Sequence, residues 1–185
     1  MMAISTKGRY SVRILVLMAG RQPGHVFTKH EIGDQEGISS AYVQQLMMTL
    51  HATGFVTSHR GKAGGFTLAK PPETMTVADV LSATEGQILP VPCLGVEQCE
   101  REPHCPTRPM WMKAAELLDD LFSGVTIAAL AANGTGGAQL PWQVGDPGRD
   151  MDHLAADLVA LADGAPRNRP FLGFPTTDSA HQSAR

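Results

Sequence analysis

Three cysteines, Cys93, Cys99 and Cys105, are each separated by five residues. Thiolates are soft ligands suited to zinc and to iron–sulfur centres. Zinc ribbons and fingers place their ligand pairs roughly two to four residues apart, which argues against zinc at this spacing. Equal five-residue gaps in a proline-containing loop still allow three sulfurs to meet at one centre. An iron–sulfur cluster normally takes about four protein ligands. The fourth would come from His104, an Asp or Glu, or a partner subunit, or one iron would stay open. The competing reading is three inert thiols, since free cysteine often packs as a small hydrophobe, and spacing alone does not separate the two. A nucleophile–base pair of Cys105 with the adjacent His104 is disfavoured: sequence neighbours rarely have the geometry, and no third orienting group is evident. No phosphate-binding glycine loop and no H-E-x-x-H motif occurs. An enzyme is therefore not expected.

A second set of residues suits a nucleic acid. Ser39, Ser40, Tyr42, Gln44 and Gln45 cluster on one predicted helix. Gln pairs well with adenine in a major groove, and small hydroxyls serve several bases or phosphates. Arg60 stands in the glycine-rich run His59 to Gly65, where a guanidinium could enter a minor groove. Lys7 and Arg9 could hold backbone phosphates. Residues 1–75 contain eight Lys or Arg and four Asp or Glu, a net of +4; residues 76–185 contain seven and fourteen, a net of −7. A basic front on an acidic chain points to a polyanion partner for that part. Taken singly, each polar residue is better explained by contact with water; the combination of helix spacing, glycine stop, basic hairpin and local positive charge favours DNA.

Those residues need elements to position them. The chain has 185 residues, 43% hydrophobic and 18% charged, enough for a globular core and against disorder throughout. Arg9 to Ala19 reads as a buried helix ending near Gly20. Thr28 and Glu31 form a capping-box pattern for a short second helix, which Gly37 stops. Ser39 caps a third helix whose Val43, Leu46, Met47 and Leu50 make one apolar stripe, opposite Ser40, Tyr42, Gln44, Gln45 and Thr49. Two β-like runs, Phe55 to Ser58 and Phe66 to Ala69, flank the glycine-rich segment. Two helices across a tight turn followed by a basic hairpin are a winged helix-turn-helix layout.

Thr76 and Asp79 cap a further helix, stopped by Gly86. Residues 87–106 carry Pro90, Pro92, Pro103 and Pro106 and read as a loop holding all three cysteines. Thr107 caps and Pro109 opens the longest amphipathic helix, with Trp111, Ala114, Ala115, Leu118, Leu121 and Phe122 as its stripe. That stripe needs a surface, either a second subunit or the first helix of its own chain. From Asn133 onward, twelve of 53 residues are Gly or Pro; apart from a helical island at Leu154 to Ala162 this reads as a flexible tail. The fold class is thus mainly α: a winged helix-turn-helix over 1–72, a cysteine loop and dimerisation helix over 73–132, and a tail over 133–185. No apolar run is long enough for a bilayer and no signal-type core follows the start, so a cytoplasmic protein without disulfides is expected.

Several stretches together resemble the IscR/NsrR/RirA-type bacterial transcription regulators. They are S-T-K-G-R-Y-S-V-R (Ser5 to Arg13), G-I-S-S-A-Y-V-Q-Q-L (Gly37 to Leu46), the wing H-R-G-K-A-G-G-F-T-L-A-K (His59 to Lys70), M-T-V-A-D-V-L-S-A-T-E-G (Met75 to Gly86), C-x5-C-x5-C, and C-P-T-R-P-M-W (Cys105 to Trp111). The resemblance covers about the first 132 residues. It implies a homodimer on a palindromic double-stranded DNA operator, with Cys93, Cys99 and Cys105 as ligands of a 2Fe–2S or 4Fe–4S cluster whose state sets operator affinity. It implies operator contacts from Tyr42, Gln44, Gln45 and Arg60. The signal would be iron, oxygen, nitric oxide or redox state. Two positions depart from the pattern. Arg108 stands where isc-type members carry a His, and Lys7, Gly8 and Arg9 stand where an acidic ligand can occur in the NO-sensing type, so the fourth ligand is unassigned. Gln44 replaces a frequent Glu, which points to a different operator sequence. The alternatives are a clusterless regulator with thiol-based or no sensing, an adaptor whose helix-turn-helix binds protein, and a thiol enzyme.

Overall fold

Ser5 opens the first helix, α1 (Thr6–Ala19), one turn earlier than the apolar pattern from Arg9 predicts. Its hydroxyl accepts hydrogen bonds from the main-chain N–H groups of Lys7 and Gly8 and so satisfies donors that a helix start leaves free. The computed structural model describes residues 4–61, 64–95, 99 and 101–134. The first two residues of the expected tail, 133 and 134, are helical, and the rest, with the helical island at 154–162, lies outside them. Among the described residues no helix is long and apolar enough to cross a membrane.

The second helix, α2 (Lys29–Glu36), starts where Thr28 Oγ1 accepts from Glu31 N. The T-x-x-E pattern is realised in this one half, while the Glu31 carboxylate lies 3.0 Å from His25 Nε2. Gly37 ends α2 at φ 68°, a left-handed conformation natural to glycine, and donates its N–H to Gly33 O. The chain then turns, Ser39 caps Tyr42 N, and α3 (Ser40–Ala52) begins. Val43, Leu46, Met47 and Leu50 are all buried, as their spacing predicts.

The wing is an antiparallel hairpin of β1 (Val56–His59) and β2 (Gly65–Leu68), with Ser58 opposite Phe66. It is also fixed from its other side. Phe66 and Phe27 exchange both N–H···O bonds at 2.9 Å, so the segment before α2 acts as a third short rung. The hairpin is therefore held to the helix-turn-helix by main chain as well as by the buried rings of Phe27 and Phe66.

A reciprocal capping box between Thr76 and Asp79 opens α4 (Val77–Glu85), and Gly86 closes it at φ 79°. The long helix is α5 (Arg108–Ser123), 16 residues, packed beside α4. A short helix that the sequence pattern did not reveal, α6 (Ile127–Gly134), returns to α1. Its entry is fixed by Val77 N donating to Val125 O at 2.9 Å and Ile127 N to Met75 O at 2.8 Å. Met75, Val80 and Ile127 consequently belong to the same core as Ile14, Leu15, Phe27, Ile32 and the α3 stripe.

Glu85, the last residue of α4, reaches across to the start of α1. Its carboxylate accepts from Gly8 N at 2.8 Å and from the Ser5 hydroxyl. A negative charge at a helix N-terminus is favourable. Glu85→Ala is expected to lower stability by about 1–2 kcal/mol, through the lost cap and the unsatisfied donor. The reading is a lower urea midpoint at unchanged m-value. An unaltered midpoint would mean that the carboxylate contributes nothing.

Candidate functional site

Because one side of α3 is committed to the core, its other side is presented outward. Ala41, Gln45 and Met48 are exposed there, and Ser40 and Gln44 half-buried. Ser39 is exposed; its oxygen accepts from Tyr42 N at 3.2 Å, which leaves the hydroxyl proton free to donate to a phosphate. Tyr42 is placed differently from the others. Its ring packs edge-on to Tyr10 with centroids 6.2 Å apart, and the Arg13 guanidinium lies 5.0 Å from the centre of the Tyr10 ring. Part of Tyr42 therefore belongs to the seam between α1 and α3.

Arg60 is exposed at the end of β1. Just before it, His59 Nε2 lies 2.9 Å from Thr67 Oγ1, a cross-strand contact that steadies the tip of the wing. Arg9 is exposed and Lys7 half-buried in the first turn of α1, which Glu85 anchors. The structure thus puts hydroxyls and amides on one helix face, a guanidinium on the hairpin, and two cations at the start of a helix.

The cysteines occupy the segment between α4 and α5. Cys93 sits in a short 3-10 turn, Pro92–Leu94, and Cys105 follows a second, Glu102–His104. All three are free and half-buried. Among the described residues no three His, Cys, Asp or Glu side chains converge as a metal site, so this loop arrangement does not bring the three sulfurs to one point.

Thr107 corrects a sequence expectation. It precedes α5, but its side chain caps nothing; Oγ1 lies 3.4 Å from Cys105 Sγ instead. Thr107 has helical backbone angles (φ −95°, ψ −10°) instead of the extended conformation from which a cap oxygen reaches the free N–H groups, as Ser5, Thr28, Ser39 and Thr76 do. The Thr107 hydroxyl and main-chain N–H, followed by the main-chain N–H and charge of Arg108, hold the Cys105 thiol below its ordinary pKa. These groups favour the thiolate, the form that binds metals and reacts.

Arg108 opens α5 and joins both arms of the loop. Nη2 is 2.7 Å from Glu102 Oε1, and Nη1 donates to Cys93 O at 3.3 Å. A guanidinium has no lone pair to give a metal. The three thiols are the donor type an iron–sulfur centre takes, the loop would have to rearrange for them to converge on one, and Arg108 does not supply a fourth ligand.

Along α5 only Lys113 and Ala115 are buried, while Met110, Met112, Leu117 and Leu121 are 40–48% exposed. Leu118 and Phe122 line an open apolar recess with Ile4 and Ile88. Much of the apolar surface of the helix is thus uncovered within one chain.

A family model described as "Rrf2: Iron-dependent Transcriptional regulator" matches residues 4–133. The chain is 30% identical over 132 residues to the HTH-type transcriptional regulator IscR of Erwinia tasmaniensis, covering 71% of this chain and 80% of that one. Among solved structures it is similar to CymR, the global cysteine regulator of B. subtilis, with TM-score 0.61 and 29% identity over 72% of this chain and 98% of that one. It is also similar to T. potens IscR, with TM-score 0.57 and 26% identity over 73% and 91%. These relatives are regulators of transcription rather than enzymes, and the winged-helix fold is common to them.

Proposed function

The chain belongs to the Rrf2 family of transcriptional regulators, and from that premise we propose that it is a homodimeric, iron–sulfur-responsive regulator acting on a palindromic operator in the cytoplasm. The observation that carries the DNA-reading part is the polar outward face of α3, on a helix whose opposite face is sealed in the core, together with the exposed Arg60 of the hairpin. In this reading Ser40, Gln44 and Gln45 meet base edges, and Ser39 and Tyr42 donate to phosphates. Arg60 enters the minor groove, and Lys7 and Arg9 hold the backbone.

In this reading residues 1–72 are the reader and residues 73–132 the sensor and dimer arm, with α6 running on to Gly134, two residues past the expected start of the tail. The uncovered apolar residues of α5 support pairing with the same helix of a second copy. Cys93, Cys99 and Cys105 would hold the cluster, of 2Fe–2S or 4Fe–4S type, which when bound supplies an oxidation-sensitive inorganic group. Arg108 ties Cys93 O and Glu102 to the first turn of α5, so a rearranged loop acts directly on that helix. A two-fold dimer reads half-sites about 34–36 Å apart. A change in head spacing of an ångström or so would then alter affinity by about 1–3 kcal/mol.

The test is anaerobic purification with iron and sulfide assay, then binding of the promoter of its own gene by loaded and iron-free protein over a salt series. Affinity is expected to fall steeply with salt, as phosphate-driven binding does, and to differ about 5–150-fold between the two forms. Equal affinity would end the sensor reading, and salt-independent binding the DNA reading. A second reading, a clusterless thiol-based regulator, is favoured by Arg108 in the departing position, by the lowered pKa of Cys105 and by the likeness to CymR. Protein that takes up no iron on reconstitution yet changes affinity on oxidation would select it.

A further inference from the structure

Among the described residues five large hydrophobic side chains are exposed. Four of them, Met110, Met112, Leu117 and Leu121, lie on α5. The fifth is Met48, 63% exposed, and it stands apart from them on α3. A single exposed hydrophobic residue needs no explanation by itself. Its position does. Met48 follows Gln44 by four residues and Gln45 by three, so the helix period sets it on the same face one turn further along. Ala41 occupies the turn before, also exposed. The outward row is therefore Ala41, Gln44 and Gln45, Met48: amides in the middle with an apolar group at each end. Met48 cannot serve the core, because Val43, Leu46, Met47 and Leu50 already fill the buried side of the helix.

Resting on the DNA reading above, we propose that Met48 is a specificity-determining residue, packing its thioether against the C5 methyl of a thymine in the major groove. The chemistry of the groove supports this pairing. A glutamine reads adenine through N6 and N7, and the only apolar feature that a base pair shows there is the thymine methyl. One helical turn advances about 5.4 Å, or between one and two base-pair steps. Met48 thus covers a pair next to those the glutamines read, on a side chain flexible and polarisable enough to follow a methyl group. The row would favour A·T pairs in succession, the glutamines binding adenines and Met48 a thymine.

The experiment uses the full-length protein. Binders are selected from a duplex library randomised across two half-sites, and the most enriched duplex becomes the probe for fluorescence anisotropy. Each thymine is then replaced singly by deoxyuridine, which removes only the methyl. One thymine per half-site is expected to weaken wild-type binding about fourfold when replaced, and about sixteenfold when both half-sites are changed, the value of one methyl taken from water each time. Met48→Ala should bind the thymine and uracil probes alike, while Met48→Leu keeps the difference. Met48 is exposed, so neither variant should alter folding, and matching melting curves verify this. An enriched duplex to which the wild type binds equally with and without every thymine methyl overturns this proposal alone, as does Met48→Ala with undiminished uracil sensitivity. A selection that enriches no duplex overturns the DNA reading and this proposal together.

Discussion

Gly33→Ala is expected to abolish operator binding and to destabilise the fold by about 2–3 kcal/mol, the cost of forcing a methyl into a site with no room. The added carbon would lie 2.8 Å from Ile38 O and 3.5 Å from Ser40 N. Both are main-chain atoms of the turn into α3, so no side chain can swing away to make space. The Gly33 carbonyl also accepts the N–H groups of Gly37 and Ile38. Opening the turn would break those bonds and tilt α3 relative to Arg60. Gly37→Ala is the control. Its position has a left-handed φ of 68° but open space around it, so its cost is about 1 kcal/mol of backbone strain with α3 left in place. Thermal melts and anisotropy on both variants decide the matter. If the Gly33 variant melts and binds like the wild type, the turn is not as tight as the distances state.

The second large effect concerns the cysteines. Single Cys→Ser changes at Cys93, Cys99 or Cys105 are expected to eliminate nearly all retained iron and sulfide after anaerobic reconstitution, because three thiolates already fall short of the usual ligand number. The iron-free variants should nevertheless fold as stably as iron-free wild type. None of the three sits in the core cluster, and all are half-buried in the segment between α4 and α5. Iron content together with urea midpoints gives the answer. A Ser variant that keeps a full complement of iron removes that cysteine from the ligand set.

Much of the reader was legible because its signals are local. The caps at Thr28, Ser39 and Thr76, the left-handed stop at Gly37 and the α3 stripe each depend on residues within a turn or two of one another. The features that were not legible depend on distant partners. The helix α6 is a short apolar run whose entry is set by main-chain bonds to residues 75 and 77, some fifty positions earlier. A local signal for it did exist: Thr126 Oγ1 accepts from Ala129 N. Thr107 has the residue type of a cap, but nothing in the local pattern reveals that its backbone is already helical, which takes its oxygen away from the free N–H groups. The apolar spacing of α1 begins only after Gly8, whereas Ser5 and the distant Glu85 together begin the helix. Met48 is a hydrophobic letter in a polar row, and only its exposure distinguishes it from a core residue. For the cysteines, spacing names the ligand chemistry but not where each sulfur lies.

The late arrival of Ile127 in the core bears on how the protein is made. As the nascent chain leaves the ribosome, its first seventy-odd residues emerge without Ile127, which shares one core with Ile14, Leu15 and Met75 and donates its N–H to Met75 O. The core beneath α3 is therefore complete only after the segment that carries the three cysteines has also been synthesised.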